Sequence, residues 1–129
     1  MTHHRTLWVL QWLVGIYFVV IGVMHVVVPE GLPDPLSWMY DLSDTLHLVT
    51  GVAEILGGLG LILPSLTRIL PGLSIVAAVG LLIVMIGAVV WHAGRGEIQN
   101  IAINVVNAAV LAYIAYGRWR LAPISARSG

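Results

Sequence analysis

Four apolar runs, each about the length of a bilayer's hydrocarbon core, leave this chain few folds to choose from. Residues 7–28 are interrupted only by Gln11 and His25, and further runs follow at about 44–63, 69–93 and 98–119. A helix of about 20 apolar residues spans that core. No water is available there to bond the backbone, so a span must satisfy its own N–H and C=O groups, as a helix does. Composition agrees, with 59% of the 129 residues hydrophobic and 9% charged, against about 25% charged in a soluble domain. No period-two strand pattern or internal repeat competes. The expected fold is an all-α membrane protein, an up-and-down four-transmembrane-helix bundle in one domain over residues 1–129.

Proline and glycine mark the boundaries. Pro29 closes the first run, because it cannot donate to a helix and biases the residue before it away from one. This run is longer than a signal-peptide core and no small-residue cleavage site follows it, so it is read as a span. Residues 29–43 carry Pro29, Pro33 and Pro35 with Trp38, Met39 and Tyr40, a loop suited to the membrane interface. Ser43 or Asp44 is placed to cap the second span, which should stop at Pro64. Ser65–Arg68 then forms a turn, Pro71 suits the first turn of the third span, and Gly94–Glu97 leads into the fourth.

Charge sets the orientation. The ends of the chain and the turn near residue 68 carry Arg5, Arg68, Arg118, Arg120 and Arg127. The opposite side carries Arg95 with Glu30, Asp34, Asp41, Asp44 and Glu97. Arginine excess marks the cytoplasmic face, so both termini are expected in the cytoplasm of a bacterial-type inner membrane. Net charge is zero and no basic patch offers a nucleic-acid surface. The absence of cysteine excludes disulfides, thiol nucleophiles and thiolate metal sites within the chain.

Within this apolar frame Glu54 is the exception. An acidic side chain at mid-bilayer costs on the order of 3 kcal/mol by insertion measurements, so such residues face protein interiors and often mark pathways for substrates or protons. Helical spacing gives each span one stripe of small and polar residues. These are Gln11, Gly15, Phe18, Gly22 and His25; His47, Gly51, Glu54, Gly58 and Leu61; Ser74, Ala78, Leu81, Met85, Ala88 and His92; and Asn100, Asn104, Asn107, Leu111, Ala115 and Arg118. Small residues let helices approach closely and polar ones bond across them, so the stripes should face inward. His25, Glu54, His92 and Asn104, with His47 and Asn107, then gather in the half of the bundle away from the termini.

That cluster admits several readings. It can hold four helices in register by mutual hydrogen bonds, in a non-catalytic membrane partner or chaperone. It can line a pocket for an amphipathic ligand, a quinone-like head on the polar groups and a tail among Phe18, Met85 and leucines. A metal reading uses His25, His92, Glu54 and His47, yet no helix supplies two ligands at short spacing. Acid–base catalysis on a lipid-soluble substrate, with His and Glu exchanging a proton, is a further alternative. Whether the chain is an enzyme stays open at this point. Trp8, Trp12, Tyr113, Tyr116 and Trp119 on one side, and Trp38, Tyr40 and Trp91 on the other, read as interfacial belts. His3 and His4 read as solvated. Gly57, Gly58 and Gly60 lie inside a span with no strand before them, so they read as packing surface rather than a phosphate loop.

Several of these residues fall in patterns. Gly22-x-x-His25-x-x-x-Pro29 ends the first span, and Gly51-x-x-Glu54-x-x-Gly57-Gly58-x-Gly60-Leu61-x-x-Pro64 fills the second. Gly87-Ala88 precedes His92, and Asn104 is followed by Tyr116-Gly117-Arg118. In these the chain resembles the DoxX-like family of small four-span membrane proteins, over about residues 7–119. The resemblance implies a four-helix membrane bundle. It also implies an association with quinone-linked oxidoreduction, since the family takes its name from a subunit of a quinol oxidase or thiosulfate–quinone oxidoreductase. An oxidoreductase partner protein and a quinone cofactor are expectations on that basis, and a homo-oligomer packed through glycines is another. Family members linked to thiol redox are no full guide to a chain without cysteine.

Overall fold

The computed structural model describes residues 2–128; Met1 and Gly129, the two ends of the expected domain, lie outside the described residues. Four helices, α1 (Thr2–Val26), α2 (Asp44–Thr67), α3 (Leu73–Gly94) and α4 (Ile98–Tyr116), run up and down. Each has the length and apolar character to cross a membrane, α4 together with the π turn Gly117–Leu121 that continues it. A 3₁₀ helix, Asp34–Asp41, lies in the long loop between α1 and α2, and no strand occurs among the described residues. The protein is thus the expected all-α four-span membrane bundle. α1 packs along α2, α2 along α3 and α3 along α4, whereas α1 and α4 share a much smaller contact.

The core is Leu7, Val14, Phe18, Leu61, Ile62, Ala78, Leu81, Met85, Leu111 and Ile114. Leu13, Val20, Leu56, Ile83, Val90 and Val106 stand exposed on the outside, where lipid replaces water as their solvent. The stripes of α1 and α2 are wholly buried. That of α4 is buried at Leu111 and Arg118 but only half-buried at Asn100, Asn104 and Asn107, because α1 does not close over it there.

Glycine explains how closely the helices approach. A Cβ on Gly58 would stand 2.5 Å from the carbonyl oxygen of Gly15, and one on Gly15 2.9 Å from that of Gly58. Gly22 and Gly51 face each other in the same way, each Cβ 2.8 Å from the other's carbonyl oxygen. These two reciprocal pairs let the α1 and α2 backbones touch. On the other side of α2, a Cβ on Gly57 would meet Leu81 at 2.5 Å and one on Gly60 would meet Ala77 at 2.8 Å. The glycine run of α2 therefore serves two neighbours at once, with Glu54 one turn away.

Three boundaries differ from expectation. α1 begins at Thr2, and His3 Nδ1 bonds the Tyr113 hydroxyl at 2.9 Å while His4 bonds Arg118, so these histidines are exposed but engaged. α2 continues past Pro64 to Thr67. Pro64 removes one bond to the carbonyl four residues back, which is Gly60, and membrane helices tolerate such losses where neighbours adjust. α3 starts at Leu73, with Pro71 ahead of its Gly72 N-cap, because the turn is made by Arg68 and Leu70 at φ 59° and 47°. At the start of α2 the cap is Ser43, whose Oγ accepts from Leu46 N at 3.2 Å.

Candidate functional site

A cavity of about 330 Å³ lies at the end of the bundle that carries the long loop. His25, Glu54, His92 and Asn104 all line it. Phe18 and Met85 line it as well, and Leu36, Leu42 and Leu46 extend its apolar wall. His47 does not; it stands behind His25, buried. Asn107 lies off the wall, on the half-buried face of α4.

Two histidines tie the loop to the helices. His47 Nε2 lies 2.7 Å from the Met39 carbonyl oxygen, and His47 Nδ1 lies 2.9 Å from His25 Nδ1. The carbonyl can only accept, so His47 donates through Nε2. Neutral His47 then accepts at Nδ1 the proton on His25 Nδ1, and the His25 lone pair falls on Nε2. That nitrogen is 3.7 Å from Glu54 Oε1, too far for a hydrogen bond and within about 1 Å of one. Glu54 is 3% exposed, and its Oε2 has no hydrogen-bond partner among the described residues. A buried polar atom left unpaired costs about 1–3 kcal/mol, and a carboxyl group here faces the cavity with one proton to give or accept.

His92 is held from the other side. Its Nδ1 bonds Glu97 Oε1 at 2.9 Å; Arg95 Nε donates to the same oxygen at 2.9 Å, and an Arg95 terminal nitrogen donates to Asp41 Oδ2 at 2.6 Å. The clip joins the turn after α3 to the long loop and leaves Nε2 as the second ring nitrogen of His92. Arg95, foremost, and then His92 hold the Glu97 carboxyl below its ordinary value of 4.5 through hydrogen bonds. A depressed native value adds stability above the unfolded one and forfeits it as pH falls through the lower native value. The clip should therefore hold above about pH 4.5 and open in stronger acid. Arg95 stacks over Trp91 at 4.6 Å. Acidification from neutral should then change tryptophan emission in the wild type and not in Glu97→Gln; equal titrations would count against the clip.

Trp38, like Trp91, is a site residue that the sequence places elsewhere, in an interfacial belt. The 3₁₀ helix buries Met39 and lays Trp38 between His25, at 5.7 Å between ring centroids, and His92, at 4.9 Å. Its indole Nε1 is buried without a partner among the described residues, and the ring lines the cavity with Tyr17, Trp91 and Asn100. The only hint in the sequence is a tryptophan in the loop between His25, near the end of α1, and His47, in the first turn of α2. Among the described residues no three His, Asp or Glu side chains come together as a metal-binding group; the Trp38 ring separates His25 from His92.

The model of the DoxX-like family matches residues 9–114. The chain belongs to the DoxX-like family. That span takes in all of the cavity lining. No curated protein and no solved structure matches this DoxX-like chain.

Proposed function

We propose that this DoxX-like protein binds a quinone-like amphipathic molecule in the loop-end cavity, as a small accessory subunit of a membrane oxidoreductase system. In this reading both termini are cytoplasmic, the membrane is a bacterial-type inner membrane, and the cavity lies in the outer half. The observation that carries it is Glu54: a carboxyl with an unpaired buried oxygen on the wall of a mostly apolar cavity. Ligand pockets of about 300–1,000 Å³ with a few convergent polar groups are the usual form for small molecules. Here 330 Å³ accommodates a ring-sized head group.

The residues fit such a head. Among the described residues Trp38 Nε1 is a donor without a partner and Glu54 Oε2 is unbonded; the indole donates to one quinone oxygen, and the carboxyl, in its protonated form, donates to the other. The rim suits the tail. Leu46, Val49 and Ile103 line the cavity and are 44%, 61% and 52% exposed, so the opening is apolar and admits a ligand from hydrocarbon. A quinone supplies two-electron, two-proton exchange when bound, while the chain positions the head and holds protons at Glu54 and His25. His47 is assigned a structural part, its ring nitrogens engaged by Met39 and His25.

The test is quenching of tryptophan fluorescence by a short-chain benzoquinone in detergent. Wild type should saturate with one site, and Glu54→Gln should raise Kd at least tenfold with helix content unchanged. Equal affinities in the two proteins, or no saturable quenching, would favour the other reading, a membrane partner whose polar residues only hold the bundle.

A further inference from the structure

At the opposite end of the bundle a second polar network closes around Arg118. The side chain is 3% exposed and sits on the π turn that ends α4. Its Nε donates to Gln11 Oε1 at 2.6 Å, and its Nη1 donates to the Ala122 carbonyl at 2.8 Å and lies 3.1 Å from His4 Nδ1. The Trp8 ring stands 5.3 Å from the guanidinium carbon. Each of these partners is neutral or has a lone pair to give. Nη2 is buried and has no partner among the described residues.

Among the described residues no acidic side chain balances this charge. The six acidic side chains of the chain are Glu30, Asp34, Asp41, Asp44, Glu54 and Glu97. All belong to the cavity half or the loops beside it, whereas this end carries five of the six arginines. A buried charge is costly unless it is paired. Beside Arg118 is a separate pocket of about 190 Å³, walled by Ser65, Gly72, Ile75, Trp119, Pro123 and Ile124 in addition to Arg118 and Pro71. The C-terminal tail is pinned across this end: Arg68 Nε donates to the Ser125 carbonyl at 2.9 Å, and Arg127 N donates to the Arg68 carbonyl at 2.9 Å. Ser65 is already spent, its hydroxyl donated to Ser74 at 2.8 Å. Arg118 is therefore the one charged side chain on the pocket wall, with N–H bonds unused.

We propose that this pocket binds a phosphate anion, either free or as the headgroup of a phospholipid, with Arg118 as the charged ligand. The unused N–H bonds of Nη2 supply a charge-assisted donor to a phosphate oxygen. The site is independent of the loop-end cavity and holds whichever molecule occupies that cavity.

Native mass spectrometry of the full chain in mild detergent reads it, with inorganic phosphate and dioctanoyl phosphatidylglycerol offered separately. Two variants are compared. Arg118→Gln removes the ligand but disturbs the network with Gln11. Gly72→Asp leaves that network intact: a Cβ on Gly72 meets nothing within 4 Å, and its φ of −61° admits any L residue. It places a carboxylate on the pocket wall and competes with the anion. The expected result is one bound molecule in wild type and at least tenfold weaker binding in both variants, with helix content retained in Gly72→Asp. Binding of phosphate alone assigns a free anion; binding of the lipid alone assigns a headgroup. No binding of either by the wild type, or equal binding by wild type and Gly72→Asp, overturns the proposal.

Discussion

Gly58→Ala should destabilise the folded bundle by about 2–3 kcal/mol, the upper part of the range for overpacked interiors. The added methyl carbon would stand 2.5 Å from the Gly15 carbonyl oxygen, 2.8 Å from Val19 Cγ2 and 3.0 Å from Val19 N. Two of those three atoms are backbone, so no side-chain rotation relieves the clash and α1 must move away from α2. Movement there also loosens the Gly22–Gly51 pair and carries His25 away from His47 and Glu54. Gly80→Ala is the matched control. A Cβ on Gly80 meets nothing within 4 Å, and glycine-to-alanine in a helix interior is favourable by roughly 0.5–1 kcal/mol. Reversible unfolding in mixed micelles measures both. Equal stabilities for the two variants would show that the α1–α2 approach is not held by these glycines.

The second large effect is expected from Gln11→Leu, about 3 kcal/mol of destabilisation, since a buried charged group that loses a partner costs more than a neutral one. Gln11 accepts from Arg118 Nε at 2.6 Å and donates to the Leu61 carbonyl at 2.5 Å and Ser65 Oγ at 3.1 Å. Its amide thus joins α1, α2 and the end of α4, the two outer helices that otherwise meet so little. The double variant Gln11→Leu with Arg118→Leu should recover much of the loss, because a charge without its partner is worse than neither. Additive losses in the double-mutant cycle would show that the two side chains act separately.

Much of this molecule was legible in the chain. The stripe of α2 predicted that His47, Gly51, Glu54, Gly58 and Leu61 share a face, and all five are buried together. That follows because helical periodicity is a local property and the membrane fixes helix length. The helix runs past Pro64, where a stop is expected, and Ser65 beyond the proline is buried and bonded to Gln11 and Ser74, contacts that no local rule for proline contains. The sequence places Trp38 in an interfacial belt because its partners lie on two other segments, α1 and α3. No spacing rule links Trp38 to His25 and His92.

The sequence alone determined the number of spans, the inward stripes and the segregation of acids from arginines. Each depends only on residue type, short-range spacing and the cost of polar groups in hydrocarbon. Tertiary structure decided which of those polar groups are satisfied. Among the described residues His47 is spent on Met39 and His25 while Glu54 Oε2 is not bonded, and Gln11 answers Arg118 Nε while Nη2 is left over. Hydrogen bonds are directional and reach about 3 Å, so pairing depends on how far each helix slides and turns against its neighbours. The reciprocal glycines between α1 and α2 set that slide.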